Sequence, residues 1–167
     1  LITCHLGNGC SITAVKGGKS VNTSMGFTPL EGVMMGSRSG SIDPAILIHL
    51  MDEYNFDSKS LNQLLNKESG LLGISGISSD LRPILEANAS GNPHAQLAVN
   101  MYVFRIQQVI SSLLPSLGVL SALVFTAGVG ENSSFIREKV CEGFGFLGLK
   151  LDTVKNNQSL KEENIAL

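Results

Sequence analysis

Residues 1–24 read LITCHLGNGCSITAVKGGKSVNTS. Apolar and β-branched residues recur in 1–5, 11–15 and 20–24, and glycine-containing turns separate these segments. The pair Gly17-Gly18 is of the type that closes a two-residue hairpin. The stretch therefore predicts three consecutive antiparallel strands at the start of the chain.

Helix signals predominate further along. Asp43 followed by Pro44 predicts a helix start, since Asp caps free N–H groups and Pro suits the first helical position. We predict helices at 43–54, 58–68, from 80 onward, 93–114 and 133–143, a buried strand at 120–126, a short strand at 147–151, and loops at 71–79 and 127–132.

The longest predicted helix carries apolar residues on roughly one face: Leu97, Met101, Phe104, Val109 and Leu113. The order of elements indicates a mixed α/β fold rather than a regular alternation of strand and helix.

The composition suits one globular domain. Hydrophobic residues make up 43% and charged residues 16% of 167 residues, enough for a core. A net charge of −2 without basic runs argues against nucleic acid or an anionic membrane as the main partner. No stretch is expected to span a bilayer, and the cytoplasm is the default location. Cys4, Cys10 and Cys141 lack zinc spacing and are expected to be thiols in a reducing compartment.

Residues 25–42 form a Gly- and Ser-rich segment that is too apolar for a linker. It carries Phe27, Leu30, Val33, Met34 and Met35. We expect this long loop to pack against a second domain or a ligand.

The turn at residues 5–9 is a candidate anion site. It consists of His5, Leu6, Gly7, Asn8 and Gly9. Glycines on both sides of Asn8 permit positive φ and can present N–H groups to an anion. Asn-Gly is also the commonest dipeptide of a plain hairpin turn, so that alternative stays open.

A second candidate follows the predicted strand at 120–126. It consists of Gly128, Val129, Gly130, Glu131 and Asn132. Free N–H groups and the dipole of the next helix would face a negative ligand. The alternatives are a plain glycine-rich helix start and a dinucleotide fingerprint. The fingerprint fails because Ser133 stands at the third glycine position, and little chain remains to complete the unit.

Two further segments carry isolated charged residues. Arg38 lies among small residues, and its unshielded fork fits carboxylate or phosphoryl oxygens; a solvated surface arginine is the alternative. Asp80, Leu81 and Arg82 begin a predicted helix. The spacing favours Asp80 as an N-cap, and a ribose contact, with Arg82 near a base or phosphate, is the alternative. No His, Cys and Asp cluster has metal-ligand spacing.

Three segments together resemble the carboxyl-terminal domain of the acetate kinase family. They are residues 5–9, 24–40 (SMGFTPLEGVMMGSRSG) and 128–133 (GVGENS). The middle run is long and specific, and the resemblance covers essentially the whole chain, including 79–82. It implies a ribonuclease-H-like domain of βββαβαβα order, one half of an actin-like ATPase fold, with nucleotide in the cleft between the halves.

The resemblance also implies roles for these residues. Residues 5–9 would line the phosphates, 80–82 the adenosine, and 128–132 both the adenosine and the phosphates. Arg38 would contact acetyl phosphate and steady the transferred phosphoryl group. The substrates would be ATP or ADP with acetate or acetyl phosphate, the metal Mg²⁺, and the assembly a homodimer through this domain.

Residues 1–167 would then be a single nucleotide-binding domain. The amino-terminal half and the extreme carboxyl terminus, with a magnesium-binding Glu, would lie outside this chain, which we expect to bind nucleotide but to be inactive alone. A nucleotide-sensing module without phosphoryl transfer and a butyrate or propionate kinase are the alternatives.

Three residues depart from the family pattern. Ser37 and Ser41 stand where Thr and Asp are expected, and the second change loses a charge near Arg38. Ala127 stands where Gly is common, an exchange expected to be tolerated if φ is negative there.

Overall fold

The computed structural model describes residues 1–158 and 163–167. The strands are β1 (Ile2–Leu6), β2 (Cys10–Lys16), β3 (Lys19–Thr23) and β4 (Leu123–Thr126). The helices are α1 (Ala45–Tyr54), α2 (Ser58–Lys67), α3 (Gly70–Ser75), α4 (Leu81–Ala89), α5 (Pro93–Leu117), α6 (Ala127–Asn132), α7 (Ser134–Glu142) and α8 (Thr153–Gln158), with a 3-10 turn at Gly145–Leu147.

The three opening strands form the predicted antiparallel meander. The sheet order is β3-β2-β1-β4, and β4 pairs parallel to β1. Gly17 and Gly18 both have positive φ, as a two-residue hairpin that follows the twist of its strands requires. The expected mixed α/β fold is confirmed.

One face of the sheet packs against the central helix α5. In β1 the side chains of Ile2, Cys4 and Leu6 alternate into the core with no exposed surface. The buried residues of α5 are Ala95, Ala98, Val99, Tyr102, Ile106, Ile110, Leu113 and Leu117.

The buried face of α5 is only partly the apolar row identified in the sequence. Leu113 is buried, Met101 and Val109 are partly buried against the core, and Leu97 and Phe104 are 50% and 60% exposed. The observed buried face follows the 3.6-residue period of a helix and includes two alanines, Ala95 and Ala98. A search for bulky apolar residues gives such small side chains too little weight. Their small side chains let α5 lie close to the neighbouring elements.

By length and composition alone, α5 meets the criterion for a membrane span, which we had not expected of any stretch. It is the one helix in the described ranges that is long and apolar enough to cross a membrane. Its contacts with β2, α3, α4 and α7 identify it instead as the core helix of this domain.

The long segment at 25–42 divides into a buried and an exposed part. Val33, Met34 and Met35 lie in the domain's own core rather than against a second domain or a ligand. Phe27 is fully exposed. The amide of Met35 donates to the carbonyl of Arg38, which folds the buried part into a compact turn.

Four predicted elements differ from those observed. Residues 70–75 and 127–132 are helical rather than loops, and residues 147–151 hold part of the 3-10 turn and one isolated bridge, Leu151 to Ala166, rather than a strand. The strand at 120–126 begins only at Leu123 and is half-exposed, because β4 is the edge strand of the described sheet.

A glycine explains the unexpected helix α3. Gly70 has a φ of +63°, and a Cβ there would lie 2.7 Å from the Arg38 carbonyl oxygen. The close approach of the two backbones lets Leu71 donate to the carbonyl of Met35, which anchors the first turn.

Candidate functional site

The two glycine-rich segments meet at one edge of the sheet. The parallel strands β1 and β4 end at this edge, and each leads into one of the segments. A Cβ at Gly7 would lie 3.5 Å from the Cβ of Ala127. Ligands of open α/β sheets bind at the carboxyl ends of such strands.

The β1–β2 turn is held by hydrogen bonds from its own backbone and from the Cys10 thiol. The Gly7 amide donates to the Gly9 carbonyl at 3.1 Å, and the thiol of Cys10 donates to the Gly7 carbonyl at 3.3 Å. Asn8 is exposed at the tip, whereas the Leu6 side chain is fully buried. Only the backbone of Leu6 is therefore available to a ligand.

Gly36 joins the turn to the segment before α4. Its amide donates to the Asn8 carbonyl at 3.2 Å. A Cβ at Gly36 would strike Asn8 Oδ1 and lie 2.6 Å from the Ser79 carbonyl oxygen. Only glycine fits there, and its closeness brings three of the candidate segments into contact.

Arg38 points towards this same edge. Its side chain is half-buried, and Nη1 lies 3.4 Å from the position of a Cβ at Gly9 and 3.8 Å from Met35 Sδ. No carboxylate among residues 1–158 and 163–167 forms an ion pair with it. The guanidinium therefore keeps donors for an anionic ligand.

The departures Ser37 and Ser41 are both engaged locally. Ser37 Oγ donates to the Asn66 carbonyl at 3.0 Å, and Ser41 Oγ accepts from the Gly32 amide at 3.0 Å. The Ser41 carbonyl accepts from Arg105 at 2.6 Å. Both residues thus brace the ends of the turn that carries Arg38.

His5 links the two strand ends. Its exposed ring lies at the end of β1, and Nδ1 is 3.1 Å from Thr126 Oγ1 at the end of β4. The other ring nitrogen, Nε2, is the one available to a ligand. Sequence reasoning did not single out Thr126, because a lone Thr in a strand carries no distinguishing signal.

Asp80 is the N-cap of α4, as its spacing predicted. Its Oδ1 accepts from the Arg82 amide at 2.9 Å, and Arg82 Nε lies 3.0 Å from Oδ2. The Arg82 side-chain bonds, followed by the backbone bond, lower the pKa of Asp80 to about 2. Arg82 is otherwise 86% exposed, and the Leu81 side chain is buried. A ribose hydroxyl that contacted Asp80 would share its carboxylate with Arg82.

The segment at 128–132 forms most of α6. The Glu131 carboxylate accepts from the Ala127 amide at 2.8 Å, and Asn132 Nδ2 donates to the Gly128 carbonyl at 2.9 Å. A Cβ at Gly128 would meet open space, whereas Gly130 is buried against Phe125. Val129 packs on the core, so the most open backbone of this segment is at Gly128.

Ala127 holds a strained conformation. Its φ is +65°. Alanine was expected to be tolerated in place of glycine only if φ were negative, and that condition is not met. An L-residue pays a steric cost of about 1–2 kcal/mol in this left-handed region. The left-handed residue turns the chain from β4 into α6.

Two buried residues behind α6 escaped sequence reasoning. Arg137 in α7 donates to the carbonyls of Gly130 and Glu131, and Asn156 in α8 bonds to Arg137. A single Arg on an amphipathic helix has no spacing signal that separates it from a surface cation. In the described part of the chain, no three His, Cys, Asp or Glu side chains come together to hold a metal ion.

Comparison with known proteins finds close matches among curated proteins and solved structures. The model of the acetokinase family matches residues 1–166. The chain is 65% identical over 159 residues to the acetate kinase of Rippkaea orientalis, with 95% of this chain and 39% of the relative covered. It is 60% identical to that of Nostoc punctiforme, with 99% and 41% covered. The chain thus spans about 40% of the length of these curated relatives.

Solved structures agree with the sequence matches. Porphyromonas gingivalis acetate kinase is 45% identical with a TM-score of 0.94, and a Francisella tularensis propionate kinase is 43% identical with a TM-score of 0.94. Each comparison covers 99% of this chain and 42% of the other. The expected fold, one half of an actin-like ATPase, is confirmed by these neighbours.

Proposed function

Because this chain belongs to the acetokinase family, we propose that it is the nucleotide-binding half of an acetate kinase. The full protein would transfer a phosphoryl group between ATP and acetate, giving ADP and acetyl phosphate. The observation that carries the proposal is the position of Arg38. Its guanidinium lies beside Gly9 without a carboxylate partner in the described ranges, at the edge where both glycine segments meet.

The open backbone of the site suits a nucleotide. We assign the phosphates to His5, Gly7, Asn8 and Gly9, because the exposed side chains of His5 and Asn8 and the backbone of the two glycines lie at this end of the sheet. Gly128 has open space on its Cβ side, as a surface approached closely by a ligand requires. The adenosine would lie between this backbone and the segment Asp80–Arg82.

Arg38 would act on the transferred phosphoryl group. Phosphoryl transfer depends on positioning and charge stabilisation far more than on covalent participation of the protein. A guanidinium fork matches phosphoryl oxygens in shape and charge. We therefore propose Arg38 as the catalytic residue of this half of the cleft.

We propose that the described residues supply no carboxylate ligand for Mg²⁺. Mg²⁺ prefers carboxylates and water in octahedral geometry, and the carboxylates of Asp80 and Glu131 are engaged with Arg82 and the Ala127 amide. We propose that Mg²⁺ reaches the phosphates through ligands outside this chain. Because the ligands of Mg²⁺ would lie outside this chain, we expect the isolated chain to be inactive. We also propose that the full protein works in the cytoplasm.

We further propose that the full protein is a homodimer through this domain. Helix α1 buries none of its residues and exposes Ile46, Ile48, Met51 and Tyr54. A second copy would cover this apolar face. The substitution Ile48→Lys should convert the dimer to a monomer in sedimentation velocity, and Asn157→Lys, an exposed change on α8, should leave it dimeric.

Calorimetric titration of this chain with ADP, with and without Mg²⁺, tests the nucleotide assignment. Gly128→Val should abolish binding because its side chain would fill the open space at the site. Gly145→Val is the matched control, since Gly145 also has open space and lies outside the site. Equal binding by both variants would contradict the assignment of Gly128. Absence of binding by the folded wild-type chain would move the test to the full protein.

Propionate or butyrate is the alternative acyl substrate. One neighbour of nearly equal similarity is described as a propionate kinase. Initial rates of the full protein with acetate, propionate and butyrate decide between them by the ratio of kcat/KM. Nucleotide binding without turnover of any of the three would favour a sensing module instead.

A further inference from the structure

We propose that Arg137 and Asn156 are positioning residues that hold α6 in the conformation that receives the nucleotide. This inference rests on the proposed function. It makes the two residues determinants of nucleotide affinity. In the described part of the chain, neither residue forms a hydrogen bond to the turn at residues 5–9 or to Arg38. Both act from behind, through the carbonyl end of α6.

Arg137 makes a dense set of bonds in a buried position. It is only 5% exposed. Nη1 donates to the Gly130 carbonyl at 3.0 Å and to the Glu131 carbonyl at 2.6 Å. Nε donates to Asn156 Oδ1 and Nη2 donates to the Asn156 carbonyl, both at 2.7 Å. One guanidinium thus joins the end of α6 to α8.

Asn156 completes the unit. It has no exposed surface, and its Nδ2 donates to the Ser134 carbonyl at the start of α7 at 3.0 Å. Its Oδ1 and its carbonyl are the two acceptors that orient the guanidinium plane. Helices α6, α7 and α8 are therefore joined through these two side chains.

The arrangement is unusual for a residue that serves stability alone. Arg137 has no carboxylate partner in the part of the chain described, and desolvation lowers the pKa of its guanidinium. Burying a cation against neutral carbonyls costs free energy that an apolar side chain of similar volume would not. The guanidinium instead fixes two successive carbonyls in one geometry, which an apolar side chain cannot do.

Helix α6 needs such a restraint. A helix of six residues that contains Gly128 and Gly130 is marginal by itself. A Cβ at Gly130 would lie 3.5 Å from the Cys4 carbonyl oxygen, so this glycine lets one side of the helix pack closely against β1. Arg137 fixes its carbonyl end, so the backbone at Gly128 is held before ligand arrives. A pre-organised site avoids the ordering cost on binding.

The consequence is selective for the nucleotide. Arg38 and the turn at 5–9 are held by α3, Cys10 and Gly36, and none of these contacts passes through Arg137. Loss of the guanidinium should therefore weaken nucleotide binding while leaving the carboxylate side of the reaction largely unchanged.

The test uses the full protein and three variants. Arg137→Met removes the donors at similar volume, and Arg137→Lys keeps the charge but loses the fork. Lys139→Met is the control, because it removes an exposed cation from the same helix. Steady-state kinetics give KM for ATP and for acetate separately, and amide hydrogen exchange reports the opening of residues 127–132.

We expect Arg137→Met to raise KM for ATP about tenfold or more, the scale of a lost charged hydrogen bond, with KM for acetate within about twofold. Exchange at 127–132 should accelerate, Arg137→Lys should lie between, and Lys139→Met should match wild type. Should Arg137→Met fail to fold, Arg137→Lys carries the test.

Equal rises in both KM values, or wild-type KM values with a lowered melting temperature, would overturn the positioning role and leave a purely structural one. If wild type turns over ATP and acetate while Arg137→Met behaves identically, only this inference fails. If wild type shows no acetate-dependent turnover, the proposed function fails and the inference with it.

Discussion

The hydroxyl of Tyr102 lies 3.3 Å from the sulfur of Cys10, and the thiol donates to the Gly7 carbonyl at the same distance. Tyr102 belongs to the central helix and Gly7 to the candidate phosphate turn. Burial raises the pKa of both Tyr102 and Cys10, so both groups are neutral at physiological pH. The relay ties the turn to the core of the domain.

Removing the Cys10 thiol, the middle group of these three, should lower the free energy of unfolding more than removing the Tyr102 hydroxyl at the end. Tyr102→Phe loses one hydrogen bond and leaves the Gly7 carbonyl satisfied, so we expect a loss of about 1 kcal/mol. Cys10→Ala leaves both Tyr102 and Gly7 without a partner and opens a small cavity, for an expected loss of about 2–3 kcal/mol. Urea unfolding of this chain measures both. Equal losses of unfolding free energy in the two variants would show that Cys10 does not couple Tyr102 to Gly7.

Ala127 offers a stabilising exchange. Because its φ is +65°, Ala127→Gly relieves steric cost that exceeds the added entropy of the unfolded glycine, and we expect a gain of about 0.5–1 kcal/mol. Ala87→Gly in α4 is the control and should lose about 1 kcal/mol, since its backbone is helical. Thermal unfolding compares the two. A loss of stability in Ala127→Gly would show that the packing of its Cβ outweighs the strain.

The Asp80 carboxylate should titrate well below an ordinary aspartate. Its pKa is lowered from 3.8 to about 2, so the stabilisation it contributes is complete above about pH 4 and is lost as pH falls through 2. Arg82→Ala should raise the midpoint, because the side chain of Arg82 is the main cause of the shift. Carbon-detected NMR titration of the Asp80 carboxyl resolves both midpoints. An unchanged midpoint in the variant would assign the shift to the N-cap bond instead.

Arg38 is expected to act in the transition state. In the full protein, Arg38→Ala should lower kcat by about 10³-fold or more, the scale of arginines in other phosphotransferases, with a far smaller change in ADP affinity. Arg82→Ala is the comparison, since an exposed arginine proposed for the adenosine should weaken nucleotide binding with less effect on kcat. Comparable losses of kcat and of ADP affinity in Arg38→Ala would reduce it to a binding residue.

The opening meander could be predicted from sequence because its signals are local. Gly17-Gly18 dictates the hairpin, and the period-2 burial of β1 follows from alternating side chains. Asp80 was likewise identified as a cap by its position before a helix. In each case the deciding interaction spans only a few residues.

The elements that escaped prediction depend on distant contacts. Helix α6 contains two glycines and reads as a loop, yet Arg137 and Glu131 hold it in helical form. Gly70 permits α3 only because the backbone of Met35 passes beside it. Asn156, the partner of Arg137, carries no local pattern that separates it from a surface amide.

The parallel pairing of β1 with β4 joins residues that lie far apart in the sequence, Ile2 with Leu123. Because closing so long a loop is entropically costly and slow, we expect this pairing to form at a late stage of folding. The edge where Gly7 meets Ala127 does not exist until that stage is complete. Ligand affinity at this edge is therefore a measure of finished folding, and a ligand that binds there protects the chain against the reopening of its last-formed strand pair.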